Sequence, residues 1–234
     1  MRKLGIIGAM DVEVAALKER MENKVVHTIA GSDYCEGKLE GMDAVVVQCG
    51  VGKVNAALCA QILCSCFDVT HIVNTGIAGS LNAKLDIGDF VISSDAVYHD
   101  MDTTNFGYPM CQVPGLSVLA FPADEYLMME AYEAAQNANP GHVCTGRVAT
   151  GDQFVADKIL KEKIIANTQA LCTEMEGAAI AHTAWKNGVP FVIIRAISDK
   201  ADDSAEMDYP TFEAQAAQRC AQVTRSLAKR LAEA

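Results

Sequence analysis

Val189-Pro190-Phe191-Val192-Ile193-Ile194-Arg195-Ala196-Ile197-Ser198-Asp199 is the stretch whose reading decides the fold class. From Val189 to Ile197 it is nearly continuous in apolar residues, without the polar alternation of a strand that has one face in water. Val45-Val46-Val47 repeats the pattern within a strand expected over Ala44 to Cys49. Such runs belong to strands covered on both faces, and these are characteristic of α/β domains with a largely parallel central sheet.

Working outward, strands and helices alternate. Leu4 to Ala9 reads as a buried strand, and Val14, Leu17 and Met21 follow at helical spacing. His27 to Ile29 and Tyr34 to Leu39 read as strands around the turn residues Gly31, Ser32 and Asp33. Gly52 to Cys66 reads as a helix, His71 to Asn74 as a strand ending in the glycine turn Thr75-Gly76-Ile77-Ala78-Gly79, and Asp89 to Val97 as a strand. Tyr98 to Ala120 is rich in Gly, Pro and polar residues and is long for a plain connection, as functional loops often are. Ala123 to Ala138 is an expected helix and His142 to Ala149 an expected strand. Met175, Ala178, His182 and Trp185 mark another helix. Phe212, Ala216, Cys220, Val223, Leu227 and Leu231 form the apolar stripe of a long final helix. No repeat, linker or composition shift divides the chain, so residues 1–234 read as one domain.

Half the 234 residues are hydrophobic and the formal net charge is −11. A core of that size needs no disulfide or metal staple. A general grip on nucleic acid needs a basic surface, and none is written here, so neither nucleic acid nor an anionic membrane is an expected partner. The nine cysteines include no CxxC pair, and their odd count suggests reduced thiols. The apolar run after Arg2 and Lys3 meets Asp11 and Glu13 too soon for a signal peptide. No segment reaches the ~18 apolar residues of a membrane span. A soluble cytoplasmic protein is expected.

Ligands of α/β sheets gather at the carboxyl ends of strands. Here those ends carry Gly8 to Glu13, Gly50 to Lys53, Gly76 to Gly79, and Ser198-Asp199. No GxGxxG or GxxxxGK[ST] is completed, which argues against dinucleotide or nucleoside triphosphate binding. Asp199 ends the deciding strand and could protonate a leaving group, or simply cap a turn. An unperturbed Asp, with a pKa of about 3.9, would be ionised at neutral pH, so burial would have to raise it. Glu174 and Glu176 stand where a helix begins, and Glu13 stands in a first helical turn. For all three, helix-dipole chemistry competes with a functional role. His99-Asp100-Met101-Asp102 matches no zinc or EF-hand spacing, so no metal is expected.

Several segments together resemble one family. They are Gly5-Ile6-Ile7-Gly8-Ala9-Met10 with Glu13, then Gly50-Val51-Gly52-Lys53-Val54, then Asn74-Thr75-Gly76-Ile77-Ala78-Gly79. Tyr98-His99-Asp100 with Phe106-Gly107-Tyr108, Glu174-Met175-Glu176, and Arg195-Ala196-Ile197-Ser198-Asp199 complete the set. In this order they resemble the bacterial 5′-methylthioadenosine/S-adenosylhomocysteine nucleosidases, from Leu4 to the final helix. The resemblance implies an α/β, nucleoside phosphorylase-like three-layer fold, with a mixed, partly barrel-like central sheet surrounded by helices. It also implies a homodimer, no cofactor, and adenine nucleosides as small-molecule partners. The implied reaction is hydrolysis of the N-glycosidic bond of 5′-methylthioadenosine and S-adenosylhomocysteine, with 5′-deoxyadenosine as a further substrate, serving methionine salvage.

The resemblance also implies roles. Asp199 would protonate the imidazole-ring nitrogen of adenine, with Ser198 holding its carboxyl. Glu13 would activate the attacking water, with Arg195 near that network. Glu176 would bind the ribose hydroxyls and Met175 would pack against the sugar. Phe154 would stack on the purine, the Val155 backbone would read its edge, and Gly79 would line the same site. Val51 and Tyr209 would line an apolar slot for the 5′-thio group, joined by Phe106, Tyr108 and Pro114 from a partner subunit. Asp199 would have to stay protonated while Glu13 and Glu176 stay ionised, a split that environment can drive. Ile77 stands where some relatives carry a serine, and Thr103 where an apolar residue is common.

Three rival readings stay open on sequence. A phosphorylase of the same fold needs cationic and amide groups for phosphate, and Glu13 would repel that anion. A hydrolase for futalosine-type nucleosides would take a larger 5′-substituent. A non-catalytic nucleoside-binding protein would have no need of Glu13, Glu176 and Asp199 together.

Overall fold

A computed structural model describes residues 2–202 and 205–234. β1 (Leu4–Gly8) is buried at every position. α1 (Asp11–Arg20) follows at once, and Glu13 at its third position accepts the Met10 amide at 3.0 Å. An acidic side chain there satisfies an amide that the helix leaves unpaired. β2 (Glu22–Ile29), β3 (Ser32–Leu39) and β4 (Met42–Gln48) pair as an antiparallel meander. α2 (Lys53–Cys66), β5 (His71–Ser80) and β6 (Phe90–Tyr98) come next. Residues 99–120 hold only the 3-10 turn Thr104–Phe106. Then come β7 (Phe121–Pro122), α3 (Glu125–Ala138), β8 (Val143–Thr150), α4 (Lys158–Thr168), β9 (Cys172–Glu174), α5 (Gly177–Asn187), β10 (Phe191–Asp199) and α6 (Ala205–Glu233).

The described strands form one sheet in the order β10-β6-β8-β9-β5-β1-β4-β3-β2, with β7 on β6. β10 also pairs with β5, so β5, β10, β6, β8 and β9 close on themselves as a five-stranded barrel. Closure leaves those strands without exposed edges. β1, β4, β3 and β2 extend from it as an open wing. The three-layer, partly barrel-like α/β fold implied by the resemblance is what forms. The largely parallel sheet read from apolar runs alone is corrected, because half of the strand pairings are antiparallel. Burial on both faces makes a strand apolar throughout whichever way its neighbours run.

The deciding strand behaves as its composition demands. Val192 and Ile194 face the layer of α1, α3 and α6, among Val14, Leu127, Cys220 and Leu227. Ile193 faces the layer of α2 and α5, among Leu63, Ala178 and Ala181. Alternate side chains of one strand thus fill two separate cores.

Local corrections also follow. Thr75-Gly76-Ile77-Ala78-Gly79 is no turn: β5 continues through it to Ser80. Glu174 ends β9, and α5 begins only at Gly177. α4, β9 and β7 were not anticipated; the strands among them are two or three residues long, too short for any periodicity to register.

Candidate active site

A cleft opens at the carboxyl ends of β1, β5, β9 and β10. Glu13, Val51, Gly79, Phe154, Val155, Met175, Glu176, Ser198, Asp199 and Tyr209 all line it. Arg195 lies behind the wall, fully buried. Phe106, Tyr108 and Pro114 do not line it; they lie exposed on the 99–120 segment.

Glu13 sits at the head of the cleft because β1 turns into α1 within two residues. Its Oε2 accepts the amides of Ala9 at 2.7 Å and Met10 at 3.0 Å, and its Oε1 accepts the Ile77 amide at 3.1 Å. Burial raises its pKa, against the opposing pull of the Arg195 guanidinium and these amides. Gly76 is required here for lack of a side chain, since a Cβ would collide with the Arg195 guanidinium and the Glu13 carboxylate.

Arg195 organises the floor. Its Nη2 donates to Asn74 Oδ1 at 2.5 Å and makes a short charged hydrogen bond to Glu174, and Glu176 Oε2 lies 3.8 Å away. Glu174 also accepts from the Thr150 hydroxyl and from the Glu176 and Gly177 amides, the last at 2.7 Å. Its carboxylate thus ties β8 and β10 to the start of α5. Sequence reading gave Glu174 no role of its own, and it missed Asn74 and Thr150 as its partners. The one available signal was an acid standing next to Met175-Glu176 where a helix was expected to begin.

Glu176 turns towards the cleft. The Gly52 amide donates to its Oε1 at 2.8 Å. Gly52 holds φ +98, and a Cβ there would meet Asp152 at 3.2 Å. Burial and the neighbouring Glu174 push the Glu176 pKa up to about 7, and Arg195 pulls the other way. The expectation that Glu13 and Glu176 are both fully ionised is therefore resisted by burial. One guanidinium is shared among three buried carboxyls, and Glu13 or Glu176, when ionised, can stabilise positive charge that develops in the cleft.

At the end of β10, the Ser198 hydroxyl donates to Asp199 Oδ2 at 2.8 Å and the Ala201 amide donates to Oδ1 at 2.8 Å. Both residues are buried. Asp199 pairs in register with Gly79 of β5, where a Cβ would stand 2.7 Å from Asp199 Oδ1.

Phe154 and Tyr209 close one side, edge to face at 5.4 Å between ring centroids. The Tyr209 hydroxyl donates to Glu213 at 3.0 Å and lies 3.3 Å from Met10 Sδ. Met10, Gln153 and Thr173 line the cleft without having been anticipated. Ile77 lines it too, an apolar side chain beside an amide that Glu13 uses.

The His99-Asp100-Met101-Asp102 run has its own use. Asp100 pairs with Lys53 at 2.5 Å and accepts the Asp152 amide at 3.0 Å, while Asp152 accepts the Lys53 amide at 2.8 Å. Three strand-end loops are thereby tied together beside Gly52. Among the described residues no cluster of three or more metal-ligating side chains is present.

Residues 3–229 match the family model described as the phosphorylase superfamily. A 5′-methylthioadenosine/S-adenosylhomocysteine nucleosidase of Geobacillus kaustophilus is 42% identical over 226 residues, 96% of this chain and 96% of that protein. The chain belongs to this nucleosidase family. Among solved structures, the nucleosidase of Neisseria meningitidis in complex with methylthio-immucillin-A superposes with a TM-score of 0.95 at 36% identity, covering 98% of this chain and 100% of that one. A futalosine hydrolase mutant of Helicobacter pylori superposes with a TM-score of 0.93 at 30% identity, covering 98% and 100%. The nucleosidase family and a hydrolase of another nucleoside therefore share this fold over its whole length, and the cleft itself must decide between substrates.

Proposed function

We infer that this nucleosidase hydrolyses the N-glycosidic bond of 5′-methylthioadenosine and S-adenosylhomocysteine, releasing adenine and the 5-thioribose, and thereby serves methionine salvage. 5′-Deoxyadenosine fits the same scheme. The observation that carries the reading is the Glu13 carboxylate on the amides of Ala9, Met10 and Ile77. Amides at a helix start are an anion cradle. With the protein's own carboxylate seated there, a phosphate dianion is repelled and water is the nucleophile.

Asp199 gives its proton to the imidazole-ring nitrogen of adenine, and the C1′–N9 electron pair leaves with the base. Protonation of a poor leaving group contributes about 10²- to 10⁴-fold. Ser198 and the Ala201 amide fix the orientation of the acid. The sugar becomes oxocarbenium-like between Glu13 and Glu176. Glu13 takes a proton from water as its oxygen bonds to C1′. Glu176 accepts the ribose hydroxyls and Met175 packs on the sugar. Arg195 restrains the carboxylates from behind. Phe154 stacks on the purine beside the Val155 backbone, and Gly79 leaves room for the base against Asp199.

The 5′-thio group runs between Val51 and Tyr209. Val51 is exposed, as are Val54 and Leu58, one helical turn apart on α2, and Phe106 on the 99–120 segment. A second copy would cover this apolar face, and the partner subunit's Phe106, Tyr108 and Pro114 would complete the slot in a homodimer. All nine cysteines are free thiols, which fits a reducing cytoplasm. Among the described residues no helix is long and apolar enough to cross a membrane.

The deciding experiment is adenine release from 5′-methylthioadenosine with and without phosphate. Free 5-methylthioribose in phosphate-free buffer supports hydrolysis, while a sugar 1-phosphate overturns the role of Glu13. Futalosine as a competing substrate tests whether the slot takes a larger 5′-substituent.

A further inference from the structure

We propose that the Thr173 hydroxyl is a specificity-determining contact that hydrogen-bonds the polar edge of the leaving purine. The proposal rests on the reading of the cleft as an adenine-releasing site.

Thr173 lines the cleft, is only 5% exposed, and its Oγ1 has no hydrogen-bond partner among the described residues. A buried hydroxyl without a partner is costly, so such groups are rare unless something else satisfies them. Its direction follows from strand geometry. Successive side chains on a strand alternate, so Thr173 projects opposite to Cys172 and Glu174. Glu174 turns to Arg195 and Thr150, and Cys172 is buried in the core against α2 and α5. Thr173 pairs directly with Gly79 across the antiparallel β5–β9 ladder. Side chains of directly opposed residues share a face. The side chain that Gly79 lacks would point at Asp199 Oδ1, 2.7 Å away, and at Ala201. Thr173 therefore presents its hydroxyl on the Asp199 side of the sheet. Its other neighbour in the sheet, Ala149, packs in one cluster with Val155 and Ala201.

This is the Asp199 side of the cleft, where the proposed reaction places the base. A hydroxyl both donates and accepts, so it can serve a ring nitrogen or an exocyclic group of a purine. None of the cleft's carboxylates, once ionised, can donate.

The test is adenine binding by calorimetry to wild type, Thr173→Val, Thr173→Ala and Thr173→Ser, with wild-type adenine release and thermal melts measured in parallel. Loss of one neutral hydrogen bond should weaken adenine binding by about 3- to 10-fold in the Val and Ala variants. Ser should retain most of the wild-type affinity. The Val variant should melt no lower than wild type without adenine, because its hydroxyl binds nothing in the protein. Equal adenine affinity in all four proteins, with wild type releasing adenine, overturns the role of Thr173 alone. A lower melting point in Val with unchanged adenine affinity also overturns it, by making the hydroxyl structural. Failure of wild type to release adenine or bind it overturns the underlying reading instead.

Discussion

Gly52 and Glu176, far apart in sequence, meet through a 2.8 Å hydrogen bond from the Gly52 amide to Glu176 Oε1. The bond favours the carboxylate, yet burial outweighs it and holds the Glu176 pKa at about 7 against an ordinary 4.5. A carboxyl whose pKa is raised by folding stabilises the fold when protonated. That contribution is fully present below pH 4.5 and is lost as pH rises through about 7. Wild type should therefore lose melting temperature relative to Glu176→Gln between pH 5 and pH 8. Melting curves that run parallel for the two proteins across that range would refute the shift.

Asp199→Asn removes the proton that the leaving base requires and keeps the side chain's shape. The turnover number should fall about 10²- to 10⁴-fold, the ordinary scale of general acid catalysis. Substrate affinity should survive, because Ser198 and the Ala201 amide can still hold an amide side chain. Single-turnover kinetics with a parallel binding titration separate the two quantities, and loss of binding alone would assign Asp199 to recognition.

Glu13→Ala should do more than remove a base. It should free the amides of Ala9, Met10 and Ile77 and leave Arg195 less compensated. Activity should fall about 10²-fold or more. Phosphate should raise the melting point of the variant and leave wild type unaffected, since an anion can now occupy the cradle. A thermal-shift titration with sodium phosphate checks this, and chloride at matched ionic strength serves as its control.

Gly79→Ala places a methyl 2.7 Å from Asp199 Oδ1 and 2.8 Å from the Ala201 Cβ. Neither neighbour is the far end of a long flexible chain. Overpacking of this kind costs about 1–3 kcal/mol, readable by urea denaturation. Displacing the acid by about 1 Å should lower the turnover number on the order of 10²-fold. An active, equally stable variant would show that the β5–β10 junction has slack.

Arg195→Met deletes the guanidinium that Glu174 and Glu176 share and leaves buried carboxyls without their cation. Breaking a buried pair from one side costs about 3–5 kcal/mol. The loss should be larger at pH 8 than at pH 5, because Glu176, its pKa already raised to about 7, is protonated at the lower pH. Denaturation at both pH values tests this, and an equal loss would assign the cost to packing.

Much of this was legible in the chain. Val192-Ile193-Ile194 required cover on both faces and received it, because continuous burial is written one residue at a time. The acids Glu13, Glu176 and Asp199 stood at element ends, and those ends do line one cleft. Gly76 and Gly79 were misread as a turn, because a glycine looks the same whether it bends a chain or makes room for another side chain. Thr173 was invisible because an isolated threonine in a three-residue strand has no pattern to join.

The sequence by itself determined the α/β alternation, the apolar cover of the central strands and the residue types available for chemistry, because these depend on local composition and spacing. Only the tertiary structure decided the barrel closure through β5 and β10, the seating of Glu13 on its three amides, and the side of the sheet on which Thr173 meets Asp199. Those depend on which strands pair and in what register, and pairing across a hundred residues is set by how whole elements pack.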